Sequence, residues 1–186
     1  MEKGKSVKRD KSRYAILGIL QQEPMSGYEM GRMMAQSTNH FWQESDASIY
    51  PMLKTLEAEG KVTARAERTG KRARTIFEIT PTGTEEFMQW MAEPPAQEKH
   101  RNELLLKIFF GSKTTNKDLL KHLERALKNA KTEKKEFEAS QASIIRHFPD
   151  DHPHKAYWSM TLRAGFLSAD ADIMWINECI NVLKGK

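Results

Sequence analysis

The chain has one cysteine, Cys179, among its 186 residues. That excludes an internal disulfide and any zinc site built on cysteines. No stretch approaches the roughly 18 consecutive apolar residues of a membrane-spanning helix. The basic start MEKGKSVKRDKSR leads only into the short apolar YAILGIL. Gln21, Gln22 and Glu23 then follow without a small-residue cleavage site, so the start does not read as a secretory signal. The default compartment is the cytoplasm. A glycine-rich phosphate loop and a nucleophile elbow are both missing, and no internal repeat is visible. No enzymatic activity and no cofactor are expected. Cys179, with Ile176, Ile180 and Leu183 nearby, reads as a structural thiol. His147, His152 and His154 cluster with Asp150 and Asp151 around Pro149 and Pro153. A His-x-His loop can bind a metal, but the plainer reading is a wet turn, and no metal site is assigned.

What the chain does have is charge, unevenly placed. The formal net charge is +5 and the isoelectric point about 9.2. Residues 1–80 hold 14 Lys and Arg against 10 Asp and Glu; residues 81–186 hold 16 against 15. The excess is therefore N-terminal, which says more about a partner than the total does.

Residues 1–11 read as a flexible basic segment. Lys3, Lys5, Lys8 and Arg9 either form a loose arm that adds non-specific affinity or are inert. A helix is expected over about 12–22, stopped by Pro24. Ser26, with Glu29 three residues on, has the capping-box spacing for a second helix to about Ser37. In SDASIYPMLKTLEAEGKV, residues 45–62, Ile49, Met52, Leu53 and Leu56 share one helical face, and Ala47, Pro51, Lys54 and Ala58 lie opposite. Ser45, Asp46 or Ser48 could cap this third helix. Pro51 is tolerable in its first turns, and Gly60 fits its end. KVTARAER and ARTIFEIT read as two strands around a basic turn at Gly70. Pro81 opens a further helix capped by Thr80 or Thr82. Three helices and a hairpin in this order make a winged helix-turn-helix.

Glu93-Pro94-Pro95 marks a boundary. Beyond it come an apolar segment ending at Gly111, a long helix over about 116–146, and a last helix over about 155–183. The apolar stripe of the long helix is too narrow, and its charges too many, for it to stand alone. A second copy of the chain is the expected cover, giving a homodimer. The fold expected is mainly α: an N-terminal winged helix-turn-helix with a two-stranded β-wing over residues 12–93, and a helical dimerisation domain over residues 94–186.

The segments YAILGILQQEPMSGYEM, FWQESDASIYPMLKTLEAEGKV and ARTIFEITPTGTEEFMQWM resemble the PadR family of bacterial transcriptional regulators. IYPMLKTLEAEG is the most specific block. EPPAQEKHRNELLLKIFFG is similar to the start of the longer helical C-terminal domain found in that family. The resemblance covers residues 12–111 well and the rest by length and helical character. It implies a dimer that binds double-stranded DNA at palindromic operators, usually represses, and in some members is released by small aromatic or hydrophobic effectors.

With that resemblance, the small outer face of the third helix reads as the surface that enters the major groove. Tyr50 and Lys54 can reach a phosphate on one flank, and Ser48 and Thr55 can hydrogen-bond on the other. The plainer alternative is a packed Tyr50 and a solvated Lys54. Ser26 and Tyr28, at the front of the second helix, are candidates for backbone contact, against a plain N-cap and a core tyrosine. Lys71, Arg72 and Arg74 would track phosphates or dip into the minor groove. Trp42, Trp90, Trp158 and Trp175 are the candidates for stacking on an effector in a pocket between the winged helix and the C-terminal helices. The plainer reading of each is a core or dimer-interface tryptophan. A winged helix that binds protein and not DNA is the alternative function, but it need not keep a basic wing or a small-faced recognition helix. A regulator of the MarR type would carry a long N-terminal dimerisation helix, which is not expected here.

Overall fold

A computed structural model describes residues 3–39, 41–69, 72–96 and 101–185, with the side chains of residues 3–10, 46, 69 and 72 left out. It separates into two compact units, Met1–Gln97 and Glu98–Lys186.

The first unit begins with α1, Lys3–Leu20. The expected start near Ser12 is therefore extended towards the N-terminus. Residues 3–11 contain no proline and are rich in Lys and Arg, which hold a helix nearly as well as alanine. The apolar anchor still lies in the second half, where Ile16 and Leu17 are wholly buried. A two-residue strand, β1 (Met25–Ser26), precedes α2 (Gly27–Ser37). Next come α3 (Asp46–Ala58), β2 (Val62–Thr69), β3 (Arg72–Ile79) and α4 (Pro81–Ala92). The sheet order is β1-β3-β2, antiparallel throughout. The hairpin thus gains a third strand that the sequence pattern does not announce, because two residues leave no alternation to read. β1 lies against β3 at Ile76 and Phe77, which point to opposite faces and are both buried.

One core joins these elements. Ile16, Leu17, Met30, Met34, Ile49, Leu53, Leu56 and Val62 are at most 1% exposed and form one cluster with Phe77. Each such side chain contributes on the order of 2 kcal/mol relative to exposure.

The end of α3 is fixed twice. Gly60, at φ 69, takes the left-handed conformation of a helix stop, and the bonds Lys61 N–H to Leu56 O (2.8 Å) and Gly60 N–H to Glu57 O (3.0 Å) complete a Schellman motif. The start of α4 then grips that turn. Thr80 and Thr82 hydroxyls donate to Gly60 O at 2.8 and 3.1 Å, and Thr80 N–H donates to Lys61 O at 3.0 Å. Arg13 of α1 adds ion pairs to Glu59 and, at 2.6 Å, to Glu86.

The second unit contains α5 (Glu103–Phe109), a 3-10 turn at Gly111–Lys113, and two long antiparallel helices, α6 (Asn116–His147) and α7 (Lys155–Leu183). Their register is set by Phe137 under Gly165 and by a Lys134–Asp170 ion pair at 2.6 Å. Near the open end, Leu123, Ile176 and Ile180 form a small core onto which Ile108 of α5 packs. Only a narrow stripe of α6 is buried: Leu119, Leu123, Ala130 and Phe137. Cys179 is half-buried in this region, and burial, with Glu178 beside it, pushes its thiol above the usual range. No helix among the described residues is long and apolar enough to cross a membrane, and no group of His, Cys, Asp and Glu side chains there is arranged to hold a metal ion.

Candidate nucleic-acid interface

α3 takes Ser45 as its N-cap. Of the three caps open in the sequence, this one puts Pro51 sixth in the helix, where the Ala47 carbonyl loses its usual N–H partner. The first turn is held by side chains. Ser45 N–H donates to Ser48 Oγ at 3.0 Å, and Ser48 Oγ in turn donates to Glu44 Oε2 at 2.5 Å. Glu44 also accepts from Ser12 Oγ of α1 and, at 2.9 Å, from Trp42 Nε1. One carboxylate therefore ties α1, the α2–α3 turn and the front of α3 together. Sequence reasoning missed it, because an acid in a turn carries no spacing signal. Its removal in Glu44→Ala leaves the Trp42 indole N–H without this acceptor. A loss of about 1–3 kcal/mol in unfolding free energy is expected, read by denaturant titration.

The outward face of α3 is open. Ala47, Tyr50, Pro51, Lys54, Thr55 and Ala58 are all exposed, while Ile49, Leu53 and Leu56 opposite them are fully buried. Tyr50 is 43% exposed, with one side of its ring lying over Gly27 at the front of α2; a Cβ at Gly27 would come within 2.7 Å of that ring. Glycine at 27 thus lets Tyr50 cross the gap between the two helices. The Thr55 hydroxyl donates to Pro51 O at 3.0 Å. Lys54 is exposed.

Tyr28 is 67% exposed beside this face and is no part of the core. Ser26 is buried and closes the capping box with Glu29: its Oγ accepts from Glu29 N–H at 3.3 Å, and its own N–H donates to Glu29 Oε2 at 2.9 Å. Those N–H and hydroxyl donors, with Arg74 behind them, hold the Glu29 carboxyl below its usual range. Its stabilising effect is therefore present above the ordinary carboxylate pKa and is lost as pH falls through the depressed value.

In the hairpin, Thr69 pairs with Arg72. Lys71, together with Gly70, lies outside the described residues, as does the side chain of Arg72. Arg68 is exposed on β2. Arg74 is drawn into ion pairs with Glu29 of α2 and Glu67 of β2.

The four tryptophans are separately engaged. Trp42 donates to Glu44, and Trp90 stacks on Tyr14 with ring centroids 4.6 Å apart. Trp158 sits among Phe148, His152 and His154 at the α6–α7 turn. Trp175 packs on the core shared by α5, α6 and α7. Within each unit the tryptophans thus have different partners.

Two family models match the chain. Residues 16–89 match the "Transcriptional regulator PadR-like family", and residues 100–184 match "Virulence activator alpha C-term". The negative transcriptional regulator PadR of Bacillus subtilis is 33% identical over 102 residues, covering 54% of this chain and 56% of that protein. The chain spans about half the length of the curated relatives it matches. Among solved structures, Bacillus subtilis PadR in complex with operator DNA is similar with a TM-score of 0.80 at 23% identity, over 92% of this chain and 98% of that one. The same Bacillus subtilis protein in complex with p-coumaric acid gives 0.74 at 22% identity, over 92% and 94%. These structural likenesses establish the fold: a winged helix followed by a helical C-terminal region.

Proposed function

We propose that this chain, which belongs to the PadR-like family of transcriptional regulators, is a sequence-specific DNA-binding repressor that grips a palindromic operator as a homodimer. It acts by binding in the cytoplasm and not by catalysis. The observation that carries this reading is the two-sidedness of α3. One face is locked into the core, and the other presents Tyr50, Pro51, Lys54 and Thr55 with little bulk between them. A helix of that shape can bring its backbone close to base edges.

Residues 12–93 form the DNA-binding part in this proposal. Lys54 and Tyr50 contact phosphate, and Thr55 and Ser48 line the opposite flank. Ser48 has already donated its hydroxyl proton within the protein, so towards DNA it acts as an acceptor. Tyr28 meets the backbone at the front of α2, where Ser26 is chiefly the cap. Lys71 and Arg72 extend the contact along the wing. Residues 94–186 dimerise. A small aromatic or hydrophobic effector releases the operator, with Trp42, Trp90, Trp158 and Trp175 as stacking candidates. The complex of the Bacillus subtilis protein with p-coumaric acid supports that class of ligand.

Lys54→Ala tests the placement of α3. Binding to the operator and to unrelated DNA is expected to weaken by similar factors, and the slope of log affinity against log salt is expected to flatten by about 0.9, the loss of one phosphate contact. A titration in fluorescence anisotropy over several salt concentrations reads both. An unchanged slope would remove Lys54 from the interface.

A further inference from the structure

Arg74 looks from its position in the wing like one more phosphate ligand. Its surroundings argue otherwise. Arg74 and Glu67 are directly opposed across the β2–β3 ladder. Arg74 Nη2 and Nε lie 2.6 and 2.8 Å from Glu67 Oε2. Its third nitrogen, Nη1, reaches Glu29 Oε1 at 2.5 Å. Glu29 is divided between two tasks: its other oxygen, Oε2, receives the Ser26 N–H at 2.9 Å and the Ser26 hydroxyl at 2.7 Å. Ser26 in turn belongs to β1, which pairs with β3 two residues beyond Arg74. The circuit closes through Arg74, Glu29, Ser26 and Ile76.

We propose that Arg74 is a positioning residue that fixes the wing to the front of α2, and that it is withheld from DNA; this rests on the operator-binding reading above. Each of Arg74's three guanidinium nitrogens already faces a carboxylate, which leaves two of its five N–H donors. With two carboxylates about one guanidinium, these three groups carry a formal charge of −1. Arg65, 3.7 Å from Glu67, brings the cluster only to neutrality. The lock sets the angle between the hairpin and the helix that carries Tyr28, so it acts on operator recognition through geometry and not through contact. Lysine cannot replace it, because a point charge does not bridge two carboxylates as the planar guanidinium does.

The test measures wild type, Arg74→Ala and Arg74→Lys on the DNA upstream of the gene over a salt series, with thermal unfolding of each variant. Arg74→Ala is expected to keep the wild-type salt slope and to bind the operator less selectively, and Arg74→Lys is expected to behave like Arg74→Ala. A slope flattened by about 0.9 in Arg74→Ala and restored in Arg74→Lys would make Arg74 a phosphate contact and overturn the proposal. A second measurement is independent of DNA. Glu29→Gln keeps the capping box, since glutamine also serves there, but loses the charge that faces Arg74. The Tm losses of Glu29→Gln and Arg74→Ala are expected not to add in the double variant; additive losses would overturn the lock. A wild type that binds no DNA would defeat the operator reading and not the lock, which the Tm values then judge alone.

Discussion

Gly83→Ala is expected to destabilise the first unit by about 3 kcal/mol or more, at the upper end of what overpacking costs. Gly83 lies in the first turn of α4, and a Cβ there would stand 2.1 Å from the Lys61 carbonyl oxygen and 2.9 Å from Ile79 Cγ1. The oxygen belongs to backbone, so no rotamer change relieves the clash. That carbonyl already accepts the Thr80 N–H at 3.0 Å, and Gly83 N–H donates to Thr80 Oγ1 at 3.1 Å. Inserting a methyl group therefore parts α4 from the turn that ends α3. The Tm of this unit should fall by roughly 12–24 °C, given about 4–8 °C per kcal/mol for a domain of this size. Because the turn at Gly60 anchors the end of α3, DNA affinity should fall as well, even below the melting transition. Circular dichroism on heating checks the first part, and anisotropy at low temperature checks the second. Gly60→Ala makes a useful comparison, with open space around its Cβ but a left-handed backbone. It should cost only about 1 kcal/mol.

Charging the apolar surface of the second unit is expected to abolish the proposed dimer. Phe109 is 80% exposed and Val182 76%, with Phe110, Ile145, Tyr157 and Met174 also open. With only a narrow stripe of α6 buried, these exposed aromatic and aliphatic side chains are the candidates for a subunit interface. Phe109→Asp with Phe110→Asp should leave the helices in place, because neither ring is buried within the unit; their edge contact is with each other, at 5.0 Å. Sedimentation should then report the monomer mass. Operator affinity should drop by about two orders of magnitude or more, since one recognition helix would read only half of the proposed palindrome. Unrelated DNA should be bound nearly as before. A dimer that persists in this variant would place the interface elsewhere on the chain.

Most of the architecture is legible in the sequence because most elements announce themselves chemically. The apolar spacing of Ile49, Leu53 and Leu56 fixes the buried face of α3, and Ser26 with Glu29 marks the start of α2. Pro81 after Thr80 does the same for α4. What was not legible depends on contacts between distant residues. β1 is two residues long and exists only because β3 offers it an edge. The extension of α1 back to Lys3 follows from backbone propensity without an apolar pattern. At the candidate interface, the sequence names Tyr50 and Lys54 but not Gly27, whose missing side chain makes room for the Tyr50 ring. It names Arg74 as one positive charge among several. The two carboxylates that engage Arg74 come from positions 7 and 45 residues away. Charge counting along a chain cannot tell a cation that faces solvent from one already paired across a fold.

The central claim is that the open face of α3 reads an operator. The most direct measurement is binding of the purified protein to the DNA immediately upstream of its own gene at about 50 and 200 mM salt, beside a scrambled fragment of equal length. The account predicts tight binding to the upstream fragment that weakens steeply with salt yet stays selective over the scrambled one. Binding that is weak and equal for both fragments, or flat with salt, would contradict it.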